Sequence, residues 1–309
     1  MASIRAFGRC VPERVLGNEE LARLLGCETD WILQVCGIRE RRIAADGETV
    51  ADLAVAAAQD CLAKAGAAVS PGLVLVSSGS AERRFPGPAA KIAERLGFAG
   101  IPAIDLPLAS AGSLFGLSLA AQLAPVYGPV LVVASEKMSG PAMAEPLDKN
   151  VAILFGDGAG AALVSEASGG LEILASALHS DGAYANDLRL EQSGPVLMNG
   201  RSVIMQASRK IPAAIEEVLA RSGVEPEAVR VFLLHQANQN LMDRVAKALS
   251  VQTDRFYTNI VRYGNTSSAS MLIAAAEWSE AVEASPGDLI CFAAFGAGFH
   301  WGAVLARQL

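Results

Sequence analysis

Short apolar segments alternate with alanine-rich segments along the chain, and this alternation restricts its fold more than any other feature. Residues 52–65 and 211–221 have the apolar spacing of amphipathic helices. A glycine that can end a helix, Gly66 or Gly223, follows each of them. Strands that alternate with helices are typical of an α/β fold and not of a β-sandwich or a helical bundle. Strands are predicted over residues 73–77, 130–135, 151–155, 161–165, 231–234, 289–294 and 302–306.

The composition favours a globular enzyme and argues against several other classes of protein. With 309 residues, of which 52% are hydrophobic and 18% charged, the chain can bury a large core. Its apolar stretches are interrupted before the roughly 20 residues that a membrane span requires, and its N-terminus lacks the pattern of a signal peptide. A net charge of −7 without a long basic run argues against nucleic-acid binding. We therefore expect a cytoplasmic protein that binds neither membranes nor nucleic acids.

The five cysteines and three histidines lack the spacing of a metal site or a redox motif. No two cysteines form a C-x-x-C pair, and an odd number in a long chain argues against a disulfide framework. We expect reduced thiols that serve as small buried side chains, including Cys36 and Cys291, and we predict no metal ion.

Two segments have both a structural and a functional interpretation. Arg39, Arg41 and Arg42 form a basic group that can face a phosphate or an acidic partner, or equally belong to a solvated turn with salt bridges. The glycine-rich run 156–160 lacks the Lys-Ser/Thr pair of a phosphate-binding loop, and Ala161 breaks the G-x-G-x-x-G pattern. We interpret this run as a tight structural turn.

Ser110 is the strongest candidate for a catalytic nucleophile. It follows an apolar strand-like segment and begins a helical stretch of small residues, where a helix N-terminus would polarise an exposed hydroxyl. As an isolated serine it would be interpreted as a helix N-cap. A serine hydroxyl is not ionised at neutral pH, so its attack requires a base, and His235 is the only evident one. His235 begins the run His-Gln-Ala-Asn, while Asn265 lies in Tyr-Gly-Asn-Thr-Ser.

These segments resemble the β-ketoacyl-acyl-carrier-protein synthase III family of the thiolase superfamily, and the resemblance extends from about residue 3 to the C-terminus. The family implies a thiolase-like α/β fold with five layers, α-β-α-β-α, built from two similar halves. We expect residues 1–168 to form the half that carries the nucleophile and residues 169–309 the half that carries the histidine and the asparagine. The other motifs of the resemblance are Asp30-Trp31-Ile32, Gly37-Ile38-Arg39-Glu40-Arg41, residues 155–161 and residues 295–302.

The resemblance implies an acyltransferase that is acylated on Ser110 by acyl-coenzyme A or an acyl-carrier protein. The acyl group would then condense, with decarboxylation, with malonyl-carrier protein or pass to another acceptor. In the family a cysteine usually stands in place of Ser110, and the residues equivalent to His235 and Asn265 donate hydrogen bonds that stabilise the enolate. An oxygen ester is less activated than a thioester, so slower condensation is expected. The oxyanion hole would consist of backbone N–H groups of Ser110, Gly296, Ala297 and Gly298.

The resemblance also assigns substrate contacts, with departures from the family pattern. Trp31 corresponds to the aromatic residue that stacks on the adenine of coenzyme A, but Val35 and Lys149 replace the arginines that flank it. This loss of guanidinium stacking predicts weaker coenzyme A binding. Arg201 and Asn238 are further substrate-binding candidates. No cofactor is expected beyond the acyl-coenzyme A or acyl-carrier-protein substrate.

Two surfaces for protein partners follow from the same resemblance. Phe85 corresponds to a phenylalanine that reaches across a dimer interface in the family, which predicts a homodimer. In the carrier-protein patch, Asn240 stands where many members have arginine. Arg244 and Lys247 lie on the same helical face and are expected to replace it in carrier-protein docking.

Two alternative functions stay open at the level of sequence. One is a protein without acylating chemistry, either a non-catalytic paralogue or a variant in which serine replaces a native cysteine to trap substrate. The other is a serine esterase, since Ser110, Asp157 or Asp181, and His235 occur in the order Ser, Asp, His. Its G-x-S-x-G elbow fails at Leu108, where glycine is required.

Overall fold

The computed structural model describes residues 1–66, 69–191 and 193–309. Its strands are β1 (Ser3–Cys10), β2 (Arg14–Gly17), β3 (Glu40–Ile43), β4 (Leu73–Ser77), β5 (Ala103–Leu106), β6 (Val130–Lys137), β7 (Asp157–Ser165), β8 (Leu171–Ser180), β9 (Leu188–Leu190), β10 (Val196–Met198), β11 (Val229–Leu234), β12 (Leu289–Gly296) and β13 (His300–Gln308). Its helices are α1 (Asn18–Leu25), α2 (Thr29–Cys36), α3 (Val50–Ala65), α4 (Ala89–Arg95), α5 (Gly112–Tyr127), α6 (Ser139–Ala142), α7 (Lys149–Ala152), α8 (Gly200–Arg221), α9 (Gln239–Ala248), α10 (Ile260–Tyr263) and α11 (Ser270–Ala281).

The main sheet has the strand order β11-β12-β13-β8-β1-β7-β6-β4-β5. Where β1 meets β8, only Ser3 with Glu172 and Ile4 with Leu171 are paired, whereas β1 and β7 pair over almost their full length. This short seam divides the sheet into two parts. On one side the order is β5-β4-β6-β7-β1 and on the other β11-β12-β13-β8. The first strand of each part in chain order, β1 or β8, therefore lies at the seam.

Helices α5 and α11 lie between the two parts of the sheet. Helix α5 packs on β6 and β7 but also on β13, and α11 packs on β1 and β7 but also on β11. On the outer faces, α3 packs on β1, β7 and β6, while α8 packs on β13, β12 and β8. The layers therefore follow the order α-β-α-β-α, which confirms the predicted architecture. The division at residue 168, in the turn between β7 and β8, stays a prediction.

The central helices are apolar or small on all sides because both of their faces are covered. Every residue of α11 from Ser270 to Trp278 is buried. Glycine lets this helix approach its neighbour, since a Cβ on Gly160 of β7 would lie 2.6 Å from the Leu272 Cβ. The outer helix α3 has a different signature, an N-terminal capping box formed by Thr49 and Asp52.

Most of the predicted elements are confirmed, and two predictions are wrong. Helices over 52–65 and 211–221 lie within α3 and α8, and six of the seven predicted strand ranges lie within strands. Residues 151–155 are not a strand, because the helix α7 and a turn occupy them. These residues are apolar because they are buried. A short apolar run can be either a buried strand or a short buried helix, so the sequence did not distinguish the two. The run 156–160 is not a turn, since β7 begins at Asp157.

The arginine group divides between the core and the surface. Arg41 is fully buried, where its Nη1 donates to Asn18 Oδ1 at 2.8 Å and its Nη2 to the Ile153 carbonyl at 2.7 Å. Burial lowers the pKa of this guanidinium to about 10. Both interpretations, a phosphate contact and a solvated turn, are therefore wrong for Arg41. Arg39 is exposed and Arg42 half-buried.

Three of the cysteines are buried, as expected for small apolar side chains. Burial raises the pKa of the Cys36 thiol and raises that of Cys61 to about 12. Cys291 is also buried, while Cys10 and Cys27 are half-buried. Among the described residues, no helix has the length and apolarity needed to cross a membrane. The cytoplasmic location stays a prediction.

Candidate active site

Ser110 lies in a strained turn between β5 and α5. Its φ of 64° is in the left-handed region, which costs a residue with a side chain on the order of 1 kcal/mol or more. Helix α5 begins two residues later, at Gly112, so the serine lies at the positive end of a 16-residue helix. The backbone thus forms an elbow although the sequence lacks the glycine expected at Leu108.

Gly296, the last residue of β12, packs directly against this elbow. A Cβ at that position would lie 2.1 Å from the Ala109 carbonyl oxygen and 2.9 Å from the Ser110 Cβ. The turn with Ala297 and Gly298 follows it. The structure therefore brings the predicted oxyanion loop next to Ser110, at a point that only glycine fits.

The backbone N–H of Ser110 already has a partner in this structure. It donates to the Ser267 hydroxyl at 3.0 Å. Ser267 itself has a positive φ of 46°, so two strained serines meet across the two halves of the fold. An acyl oxygen that accepted from the Ser110 N–H would therefore compete with the Ser267 hydroxyl.

His235 follows β11 and is 7% exposed. Its Nδ1 lies 2.6 Å from the hydroxyl of Ser270, the first residue of α11. Burial lowers its pKa to about 4, and a hydrogen bond with the Ser267 backbone, a smaller effect, raises it. The imidazole is therefore neutral at physiological pH, and its Nε2 is the nitrogen left for other partners.

The side-chain amide of Asn265, like the His235 ring, is oriented by a hydrogen bond to a nearby serine. Its Oδ1 accepts from the backbone N–H of Ser267 at 2.9 Å. The Asn265 backbone is also tied to the other half of the fold, since its N–H donates to the Leu154 carbonyl and its carbonyl accepts from the Gly156 N–H. With Oδ1 occupied, the Nδ2 hydrogens are the part of the amide left to donate.

Ser110, His235 and Asn265 line one narrow cavity of about 80 Å³. Its wall is mostly apolar, and Asn238 is a further polar residue on it. The cavity thus combines an apolar wall with a small number of polar side chains, as ligand sites do. The remaining wall residues are Leu154, Phe155, Leu188, Met198, Gly200, Val203, Ile204, Ile211, Ala237, Leu241 and Phe295.

The geometry does not form the Ser-His-Asp triad of an esterase. The carboxylate of Asp157 accepts from the N–H and hydroxyl of Ser139, and that of Asp181 pairs with Lys210. The nitrogen of His235 that such a carboxylate would hold is bonded to Ser270 instead. Among the described residues, no hydrogen bond joins His235 to an aspartate.

Trp31 and Lys149 come together from α2 and α7. The Lys149 ammonium lies 5.3 Å from the centre of the Trp31 ring. Asn238 connects α2 to this region, since it caps α9 and donates through Nδ2 to the Val35 carbonyl at 2.9 Å. Asn240 donates to the same carbonyl, so this asparagine has a structural role at the position where an arginine was expected.

The other predicted contact residues lie on the surface. Phe85 is 86% exposed. Arg201 is exposed on the first turn of α8, next to the cavity residue Gly200, and Arg244 and Lys247 are exposed on α9. None of these four side chains lines the cavity that holds Ser110.

Three residues that support the site were missed by the sequence reasoning. Ser267 and Ser270 hold Asn265, Ser110 and His235 as described. Glu136 of β6 is fully buried and accepts from the hydroxyls of Ser80 at 2.6 Å and Ser268 at 2.7 Å. The available signal was the serine-rich run 266–270, which directly precedes the apolar residues 271–276.

Two family models match the chain. The model described as 3-oxoacyl-[acyl-carrier-protein] synthase III matches residues 104–182, and the one described as its C-terminal part matches residues 219–308. The first range includes Ser110, and the second includes His235 and Asn265. The two matches cover more than half of the chain.

Curated relatives and solved structures match over nearly the whole chain. A β-ketoacyl-[acyl-carrier-protein] synthase III of Gloeobacter violaceus is 38% identical over 97% of this chain and 96% of its own length. The crystal structure of 3-oxoacyl-[acyl-carrier-protein] synthase III from Aquifex aeolicus has a TM-score of 0.94 and 33% identity, with all of both chains covered. The priming β-ketosynthase of a polyketide biosynthetic pathway has a TM-score of 0.89 and 31% identity, with 100% of this chain and 96% of its own covered.

Proposed function

This chain belongs to the β-ketoacyl-acyl-carrier-protein synthase III family of acyltransferases, with the thiolase-like fold, and we propose that it works through an acyl ester on Ser110. The acyl group comes from acyl-coenzyme A or an acyl-carrier protein. It then condenses with malonyl-carrier protein or passes to another acceptor. The observation that carries the proposal is that Ser110, His235 and Asn265 line one apolar cavity.

The first step is acyl transfer to the serine. The Ser110 Oγ attacks the thioester carbonyl, the carbon–sulfur bond breaks, and the thiol leaves with the proton that the hydroxyl gives up. The turn with φ of 64° and the start of α5 aim this hydroxyl. Gly296, which packs on the elbow, supports a role of its loop in binding the carbonyl oxygen.

The second step is decarboxylative condensation. The malonyl group loses CO₂, the enolate carbon attacks the ester carbonyl, and the bond to Ser110 Oγ breaks. The released serine oxygen takes a proton from water, which restores the hydroxyl. Hydrogen bonds from His235 and Asn265 to the malonyl thioester carbonyl stabilise the enolate. Ser270 occupies His235 Nδ1 and Ser267 occupies Asn265 Oδ1. The atoms left to donate are His235 Nε2 and Asn265 Nδ2, which supports this donor role.

Further contacts support the expected partners. Trp31 and Lys149 together provide an aromatic and cationic surface for the nucleotide of coenzyme A. The exposed Arg244 and Lys247 on α9 suit an acidic carrier protein. The nearly full exposure of Phe85 supports a homodimer in which this side chain is covered by the partner.

Intact-protein mass spectrometry tests the proposal. The protein is incubated with a panel of acyl-coenzyme A and acyl-carrier-protein donors, alongside Ser110→Ala and Ser110→Cys. We expect an acyl mass increment in the chain with Ser110 and none in Ser110→Ala. Absence of any increment in the chain with Ser110, together with acylation of Ser110→Cys, would instead support the non-acylating alternative.

A further inference from the structure

Two roles of His235 require opposite protonation of the same nitrogen. To take a proton from Ser110, Nε2 must present a lone pair to the cavity. To donate to a thioester carbonyl, Nε2 must carry a hydrogen. Because Ser270 occupies Nδ1, a neutral His235 ring plays only one of these roles in a given tautomer.

The hydrogen bonds of Ser270 distinguish the two tautomers. Its hydroxyl is 2% exposed, accepts from the backbone N–H of Gln236 at 3.0 Å and lies 2.6 Å from His235 Nδ1. A serine hydroxyl has one hydrogen to donate, and in the described part of the chain Nδ1 is its only acceptor. If Nδ1 carried the ring hydrogen, the hydroxyl hydrogen would stay buried without a partner, at a cost of about 1–3 kcal/mol.

The surroundings also keep the ring neutral, so that one nitrogen lacks a hydrogen. His235 is buried, and α11 begins at Ser270 with its positive end toward the ring. Both effects disfavour an imidazolium. A hydrogen bond with the Ser267 backbone favours it but is a smaller effect than burial, and the pKa is lowered to about 4. A neutral ring whose Nδ1 accepts from Ser270 carries its hydrogen on Nε2.

We propose that Ser270 is a positioning residue that fixes His235 in the Nε2–H tautomer and so makes it a hydrogen-bond donor to the malonyl thioester carbonyl. The inference rests on the proposed function for the identity of the carbonyl, whereas the tautomer itself does not depend on any substrate. Asn265, whose Oδ1 is occupied by Ser267, presents its Nδ2 donor to the same cavity. The site then offers two fixed donors to a carbonyl oxygen. In this tautomer His235 is not the base expected from the sequence, and the Ser110 proton passes directly to the departing thiolate.

Nitrogen NMR of protein labelled with ¹⁵N-histidine tests the tautomer directly. The chain has three histidines, so the signals of His235 are assigned by their loss in His235→Gln. At neutral pH we expect a pyridine-type shift for Nδ1 and a pyrrole-type shift for Nε2. A pyrrole-type Nδ1 would overturn the proposal and make His235 an acceptor for Ser110. Since no substrate is present, this result is independent of whether the proposed reaction occurs.

Variants of Ser270 test the cause. Ser270→Ala should give a mixture of tautomers, and Ser270→Thr, which keeps the hydroxyl, should restore the single one. Ser279→Ala, on the same helix and bonded only to the Ala276 carbonyl, is the matched control. A single Nε2–H tautomer that persists in Ser270→Ala would show that Ser270 does not set it.

Steady-state kinetics provides a second test of the same variants. Condensation in Ser270→Ala should lose up to about 100-fold in kcat, because the lost donor acts on the developing enolate. The KM for malonyl-carrier protein should change little, since the interaction strengthens only in the transition state. Acylation of Ser110, followed by mass, should be preserved, and equal losses in acylation and condensation would indicate a general structural defect instead.

Discussion

Ser110 is held in a backbone conformation that favours glycine, and a true glycine, Gly296, stands against it. The two positions are coupled, because the space that a side chain at 296 would need is filled by the Ala109 carbonyl and the Ser110 Cβ. The Ser110 turn therefore depends on the missing side chain of Gly296 as well as on its own backbone.

Gly296→Ala should displace the Ser110 elbow and slow its acylation by about 100-fold, the effect expected for a shift of roughly 1 Å. Acyl incorporation followed by mass spectrometry measures the loss. Gly182→Ala is the control, because a Cβ there has nothing within 4 Å. Wild-type acylation in Gly296→Ala would show that the elbow tolerates the added methyl group.

The buried neutral His235 makes stability depend on pH. Its pKa is about 4 in the folded chain and about 6.5 when unfolded, so the unfolded state takes up the proton first as the pH falls. The full contribution to stability is present above about pH 6.5 and is lost progressively toward pH 4. His235→Gln should therefore show a smaller decrease in the free energy of unfolding between these values, measured by urea titration. Equal decreases in both proteins would contradict this.

At the scale of elements, one carboxylate joins three parts of the fold: the end of β6, the loop after β4 and the turn before α11. Glu136 accepts from Ser80, Ser268 and the Gly79 backbone, and it is fully buried. Ser268 follows Ser267, which accepts from the Ser110 N–H, so the Glu136 network lies next to the residue that holds the Ser110 turn.

Glu136→Ala should destabilise the protein by about 3 kcal/mol or more, because it leaves several buried donors without partners. The free energy of unfolding in urea measures this change. Glu166→Ala, at an exposed position just after β7, should change it little. A loss as small as that of the control would mean that water satisfies the donors of the Glu136 site.

Periodicity predicted elements well where the buried face was regular, as in α3 and β4. It did not reveal β1 and β8, because polar residues such as Arg5, Arg9 and Glu172 interrupt their apolar runs. The motifs predicted which residues meet in the cavity, namely Ser110, His235 and Asn265. The run 266–270 marked Ser267 and Ser270 as unusual, but their partners, like those of Glu136, lie in distant parts of the chain and cannot be predicted from a local pattern.

At the scale of the whole molecule, the main sheet ends in an uncovered strand. β5 pairs with β4 on one side only, and Ile104 on it is 45% exposed. An edge with apolar side chains is suited to pairing with a second copy. Together with Phe85, this edge marks the surface on which we expect the homodimer to form.

Ile104→Lys should weaken the dimer and shift the protein toward monomer in sedimentation equilibrium, because it places a charge in the expected interface. Val126→Lys replaces another exposed apolar residue, near the end of α5, and should leave the monomer–dimer equilibrium unchanged. A monomeric natural chain would contradict the homodimer, and a dimer unaffected by Ile104→Lys would place its interface elsewhere.

The two central helices belong to both halves at once. Because α5 and α11 each pack on strands from both sides, neither half can cover its inner face alone. If the chain were cut in the turn between β7 and β8, each fragment would expose the apolar inner face of its half. We therefore expect the fragments to fold only when they associate. Association of the fragments would restore the Ser110 turn and His235 together. Recovered enzymatic activity would then indicate that the fold has re-formed.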